Sequence, residues 1–293
     1  MTTSHVPRLL RVVRVVRVVI VAWALVLPAA AALAANGDAC PHSYEAANGP
    51  LAGGIGPADF GAIPAACPAT EVAMRARAAL LIASTMPDYY GSILGSAMLG
   101  GRYQLGERSS LSLAVDAVNY RYVNNGGLAS TGASFGPPTL AYHHLVMRGA
   151  RAVTSLYARL LLPIDTARQG GVRAGIELGG SFRLRAGARF AFDGGLAVTT
   201  TTDVVGGQAH VRLEPVGLAE AWYSFRPAIA LFTGAGFRVE AAPDWQLFSV
   251  SPRAGARFAL RRRLWIAVLA EVLVAGSDRT DVIASVFVGL FPG

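Results

Sequence analysis

Between residues 171 and 200 apolar and polar side chains alternate with hardly a break. One set reads Val172, Ala174, Ile176, Leu178, Gly180, Phe182, and the set between them reads Arg173, Gly175, Glu177, Gly179, Ser181, Arg183. A second run sets Ala188, Phe190, Phe192, Gly194, Leu196 and Val198 against Arg189, Ala191, Asp193, Gly195, Ala197 and Thr199. A period of two is the signature of a β-strand with one apolar and one polar face. Arg185-Ala186-Gly187 joins the two runs in a tight turn, so they form a hairpin. The same pattern recurs along most of the chain, which restricts it to all-β architectures.

Composition decides which one. Hydrophobic residues make up 53% of the chain and charged residues 15%, apolar for a globular protein. Yet beyond residue 35 no apolar run approaches the roughly 20 residues a spanning helix needs. The best, Leu264 to Ala275, is short and interrupted by Glu271. The other way across a bilayer is a closed barrel, because every backbone polar group must be paired inside lipid. Residues 1–35 read as a cleaved secretory signal. Arg8, Arg11, Arg14 and Arg17 form a basic start, Val18 to Ala34 is apolar, and Ala32-Leu33-Ala34 fits the cleavage pattern. The formal charge of +8 falls to +4 without this segment, and all of the basic residues are arginine. An exported chain so nearly balanced is no nucleic-acid binder. Residues 36–71, rich in Gly, Pro and Ala, read as a periplasmic extension tucked toward the barrel mouth, and residues 72–293 as the barrel. The two cysteines, Cys40 and Cys67, both fall in that extension. Export favours a bridge between them, worth roughly 3 kcal/mol in the chain-entropy description.

Twelve strand-like segments follow, near 72–84, 94–106, 109–123, 138–148, 151–163, 171–184, 187–200, 207–224, 227–239, 246–260, 263–275 and 281–291. Pro215 sits inside the eighth and points to a bulge or a split there. Connections alternate between short ones, such as Gly149-Ala150 and Phe225-Arg226, and longer ones, such as 124–137. Outer-membrane barrels keep tight turns on the periplasmic side and long loops outside, so an even count returns both termini to the periplasm. Tyr103, Phe182, Phe190, Tyr223, Phe258 and Phe291 fall on the apolar face near the short turns, as an interfacial girdle would. Tyr120, Tyr122, Trp245 and Phe248 fall near the other end.

Charge placement assigns the two faces. Arg77, Arg102, Arg159, Arg183, Arg189, Arg253 and Arg257 lie within expected strands, opposite the aliphatic set. An arginine facing lipid costs about 2–4 kcal/mol at mid-membrane, so seven would consume a stability of the usual size. They are therefore expected to face the lumen, with Asp116, Glu177, Asp193, Glu214, Glu220 and Glu271. Such an interior is either an arginine-rich route favouring anionic solutes, or a set of charge pairs that shuts the barrel.

With its export signal, alternating strands, turn parity and final strand Asp281 to Phe291, the chain resembles the Gram-negative outer-membrane β-barrels. Pro292 and Gly293 follow that terminal Phe, a departure from their usual ending. The resemblance implies a closed antiparallel meander in the outer membrane and insertion machinery that reads the last strand. The expected activity is passage of small polar solutes. A non-conducting surface barrel and, more weakly, a lipid-modifying enzyme are the alternatives. An enzyme would need a serine or threonine hydroxyl beside His143, His144 or His210, and neither residue type lies two residues away on the same face of His143 or His144. No metal-ligand spacing or dinucleotide fingerprint is present, and no cofactor is expected. The expected partners are membrane lipids and small solutes.

Overall fold

A computed structural model describes residues 66–67, 70–83, 90–125, 128–136, 138–149, 151–166, 171–187, 189–205, 208–226, 228–241, 246–261, 264–275 and 279–290. The expected signal segment and Cys40 lie outside them. The described chain forms thirteen strands: β1 (Glu71–Ala83), β2 (Tyr90–Gln104), β3 (Ser109–Asn125), β4 (Leu128–Ser134), β5 (Thr139–Arg148), β6 (Ala152–Thr166), β7 (Gly171–Arg185), β8 (Phe190–Val205), β9 (Gln208–Arg226), β10 (Ile229–Ala241), β11 (Gln246–Arg261), β12 (Leu264–Ala275) and β13 (Arg279–Leu290). All pair antiparallel with chain neighbours, and β1 pairs with β13 from Val72↔Leu290 to Ala83↔Arg279, closing the sheet on itself. No strand edge is left along this seam, as a bilayer demands. Among the described residues no helix is long and apolar enough to cross a membrane.

Thirteen strands occupy twelve positions around the barrel. The fourth position is shared: β3 pairs with β5 from Ser109↔His144 to Ala114↔Thr139, and with β4 from Asn119↔Ser134 to Asn125↔Leu128. Part of the segment expected to be a long loop, 124–137, is therefore strand. Its small and hydroxyl residues, Leu128 to Ser134, lack the clean apolar alternation that marks the other strands. The stave is broken around Phe135, Gly136 and Pro138, and Pro138 has no amide to donate to a ladder.

Two irregularities set which face each side chain meets. On β3, Val118 pairs with Ala97 and Asp116 with Met98, leaving Ala117 as the extra residue of a bulge. The bulge reverses parity, so Ala114 is buried inside while Tyr120 is exposed outside, although both have even numbers. On β9 the expected split does not occur. Pairing to β8 runs through Pro215, opposite Val198. On the β10 side the register runs only to Val216 and resumes at Leu213, a gap flanking the proline, which has no N–H to donate. Between β7 and β8 the chain reverses through Gly187, whose φ of 114° is open to glycine and strained for other residues.

Burial then follows the pleat. Val72, Met74, Leu99, Leu156, Leu178 and Val286 are exposed on the outer surface, while Arg102, Arg159, Glu177, Arg183, Glu220 and Arg257 are at most 7% exposed on the inner one. An aliphatic exterior and a charged interior are the inverse of a globular core, and suit a bilayer. Tyr103 and Phe190 are exposed outside near the short turns, Phe190 packing on Tyr223 at 4.8 Å between ring centroids. Tyr120 and Phe248 are exposed toward the opposite rim. Phe291 and Trp245 lie outside the described residues.

Candidate functional site

The lumen is built from the inward residues of all twelve staves, and it has two unlike halves. Toward the long loops it holds a cavity of about 370 Å³. Its walls carry Arg75 and Arg77 from β1, Glu214 from β9, Arg238 from β10, Glu271 from β12, and hydroxyls from Thr199, Thr201, Ser249, Ser251 and Ser285. Small polar residues at these positions leave space that Leu or Phe would fill.

The charges meet along the wall because register sets them side by side. Arg159 and Glu177 are cross-strand partners, 3.2 Å apart, and Thr199, next in the same row, donates to Glu177 Oε2 at 2.7 Å. Arg183 pairs with Asp193 at 3.8 Å and Arg212 with Asp203 at 3.1 Å, again on neighbouring strands. Arg238 meets Glu214 at 2.6 Å. One pair spans a strand: Arg253 Nε of β11 reaches Glu220 Oε1 of β9 at 3.0 Å. Both residues are in register with Gly234 of β10. A Cβ on Gly234 would collide with the Ala219 carbonyl and the Glu220 side chain, so the bare backbone there is the passage for the guanidinium. Trp222 Nε1 donates to the other Glu220 oxygen at 3.1 Å.

The half nearer the short turns is filled. Inward residues at 2% exposure or less in this half come from β3 (Ser110, Ser112, Ala114), β5 (Ala141, Leu145), β6 (Val153, Ser155), β7 (Ser181, Arg183), β8 (Ala191), β9 (Trp222), β10 (Ala230) and β12 (Trp265, Ala267). Aromatic rings supply most of the volume. Trp222 stacks on Phe232 at 4.6 Å, and Trp265 lies over Gly289, where any side chain would strike the indole. Arg257 sits 4.5 Å above the Trp265 ring, a cation–π contact. Into this end projects the chain before β1: Ala66 and Cys67 are buried against Leu145 and Val153. Arg102 Nη1 donates to the Cys67 carbonyl at 2.8 Å, and the Gln104 amide to Thr70 Oγ1 at 3.2 Å.

The sequence-derived residues are thus distributed unevenly. Arg77, Arg159, Glu177, Arg253 and Glu271 line the cavity. Arg102, Arg183, Asp193 and Arg257 belong to the filled half, and Glu220 joins the two through Arg253 and Trp222. Arg189 is exposed in the β7–β8 turn rather than within a strand, because β8 starts only at Phe190. The side chain of Asp116 lies outside the described residues. Among the described residues, inward arginines (Arg75, Arg77, Arg102, Arg159, Arg183, Arg212, Arg238, Arg253, Arg257) outnumber inward acids (Glu177, Asp193, Asp203, Glu214, Glu220, Glu271).

The inward aromatics Tyr157, Trp222, Phe232, Trp265 and Phe287 were not anticipated. Their signal was parity: Trp222 shares a face with Glu220, Trp265 with Glu271, and Tyr157 with Arg159. Hydroxyl partners for two histidines also appear, across strands rather than along them. Ser112 Oγ lies 3.1 Å from His143 Nε2 inside the barrel, and Ser109 Oγ 3.1 Å from His144 Nδ1 outside. No group of His, Cys, Asp and Glu among the described residues could hold a metal ion.

No protein-family model matches the chain, and no curated protein matches its sequence. Solved structures do match its fold. An outer-membrane channel from Pseudomonas putida F1 aligns at a TM-score of 0.62 and 14% identity, over 81% of this chain and 99% of the channel. The translocator domain of the autotransporter NalP from Neisseria meningitidis aligns at 0.52 and 14% identity, over 80% and 90%. The β domain of the Bordetella autotransporter BrkA aligns at 0.52 and 11% identity, over 75% and 98%. With its closed twelve-position meander, aliphatic exterior and charged interior, the chain has the fold of the outer-membrane β-barrels.

Proposed function

We propose that this barrel is an outer-membrane channel for small polar solutes, with an arginine-rich lumen that favours anions. The observation that carries the reading is the cavity of about 370 Å³, lined by charged, hydroxyl and aliphatic side chains, with Arg159–Glu177 and Arg238–Glu214 paired against the wall. A barrel meant only to be filled has no use for that space. The excess of inward arginines gives the field its sign. The fold likeness to the Pseudomonas channel supports a channel role.

On this reading the short-turn end is the gate. The Cys67 segment is its removable part, with the Arg102 guanidinium on the Cys67 carbonyl, the Gln104 amide on Thr70 Oγ1 and an apolar contact with Leu145 and Val153 among its ties to the wall. A Cys40–Cys67 bridge, formed after export, would keep the segment compact. The cross-strand Ser–His contacts belong to packing, and the chain is not an enzyme; a serine-directed phosphonate should leave the folded barrel unlabelled.

A second reading is favoured by the charge pairs of the inner wall and the water-inaccessible short-turn end: a non-conducting barrel acting through its loops. Planar bilayers separate the two. Folded residues 36–293 should give conductance steps with anion preference, larger after deletion of 36–69. Silence from both proteins in every salt would remove the channel reading and leave the second.

A further inference from the structure

The outer surface carries a feature the lumen does not explain. Two rows of side chains cross β5 to β8 in register, His144–Leu156–Gly180–Leu196 and Tyr142–Ala158–Leu178–Val198. Gly180 and Ala158 are the small members, one in each row. They leave an apolar trough of about 490 Å³ on the bilayer-facing wall. Its end nearest the short turns is polar. Ser109 Oγ lies 3.0 Å from Tyr142 Oη and 3.1 Å from His144 Nδ1, and the two rings stack at 6.4 Å. Hydroxyls and an imidazole on a hydrocarbon-facing surface are costly unless they meet a polar partner.

Just beyond this cluster the charge is of one sign. Arg108 precedes Ser109, Arg151 closes the β5–β6 turn just before β6, and both are exposed. The Leu145 amide donates to the Arg108 carbonyl at 2.7 Å, so the two turns are neighbours. The bias extends around the rim: the five short connections and their flanking residues carry nine arginines and one acid, Glu107. The long connections, counted with their flanking residues, instead hold Asp88, Asp244 and Asp278 against Arg168 and Arg279.

We propose that this surface binds one anionic phospholipid of the leaflet on the short-turn side. An acyl chain lies in the trough over Gly180. The glycerol ester oxygens meet the Ser109–Tyr142–His144 cluster, and the phosphate meets Arg108 and Arg151. The order of the three chemistries along the wall, apolar, then hydroxyl and imidazole, then cationic, is that of a phospholipid from tail to headgroup. A second barrel copy is a poorer occupant, because an identical basic rim would face it.

The test uses folded residues 36–293 in neutral detergent, titrated with dioleoyl phosphatidylglycerol or dioleoyl phosphatidylcholine, with bound lipid counted by native mass spectrometry. Wild type should retain one phosphatidylglycerol at about tenfold lower concentration than phosphatidylcholine. Gly180→Leu, which fills the trough, should weaken phosphatidylglycerol retention about tenfold. Arg108→Gln with Arg151→Gln should abolish the headgroup preference. Ala284→Leu, on the opposite outer wall, should change nothing. If heat-dependent gel mobility shows Gly180→Leu unfolded, Ala158→Leu fills the other notch. Equal retention of the two lipids by wild type, unchanged retention in the filled variant, or equal loss in Ala284→Leu would each overturn the site.

Discussion

Gly234 has no side chain, and a buried ion pair depends on that vacancy. Because Arg253 reaches Glu220 across it, even one methyl group there forces a shift of the β9 backbone. Gly234→Ala should therefore lower the unfolding free energy in denaturant by about 1–3 kcal/mol. Gly132→Ala, where an added Cβ meets nothing within 4 Å, should stay within about 0.5 kcal/mol. Arg253→Ala leaves Glu220 with its indole donor but without its counter-charge, at an expected loss of about 3–5 kcal/mol. Replacing both partners, Arg253→Met with Glu220→Gln, should recover much of it, as denaturant titration would reveal. Parity put Arg159 and Arg253 on the inner face, but it also put Arg189 there, which falls in the β7–β8 turn instead. That Arg253 would skip a strand to find its acid was not legible, since it depends on how three strands stack.

At the scale of the element, the alternating hairpins were readable because each needs only its own sequence. The β7–β8 hairpin, with its Gly187 turn, matches the expected one to within a few residues. The bulge at Ala117 was hidden, because a bulge is a count of residues against a partner strand. Its effect was nonetheless implicit: Asp116 was assigned inward and Tyr120 outward, which one unbroken strand cannot do. Deleting Ala117 should turn Tyr120 and Tyr122 toward the lumen, and the variant should lose about 3 kcal/mol or more, or fail to show the folded band on a gel. Wild-type stability in that deletion would remove the parity argument. The Cys67 segment was expected near the mouth on composition, but the guanidinium that holds it, Arg102, was read as lining for solutes. Arg102→Ala should raise the conductance of folded barrels in planar bilayers at least twofold. An unchanged conductance would show that the aromatic filling alone closes that end.

For the molecule as a whole, the twelve-position closure was foreseen from turn parity, and the filling of one end was not. The aromatics read as a girdle were those that alternation put on the apolar face; Trp222 and Trp265 were assigned to neither face, because aromatic character alone does not choose one. Trp222 and Trp265 went inward with the charges of their own strands. Both are buried in the filled half, so on the proposed channel reading Trp222→Ala with Trp265→Ala should open the short-turn end to water while the cavity beyond keeps the anion preference proposed for it. Reversal potentials in a salt gradient would report that separation. Selectivity lost together with closure would place both at the same narrow point.

The seam between β1 and β13 has a consequence for assembly. Its twelve cross-strand pairs unite the first described strand with the last. No intermediate built from the front of the chain can complete its perimeter, and β1 keeps one row of amides and carbonyls exposed until β13 arrives. Contacts so distant along the chain form slowly. During that interval an edge of this kind invites pairing with any passing strand. The final strand is therefore the clasp whose arrival turns an aggregation-prone sheet into a cylinder without an edge.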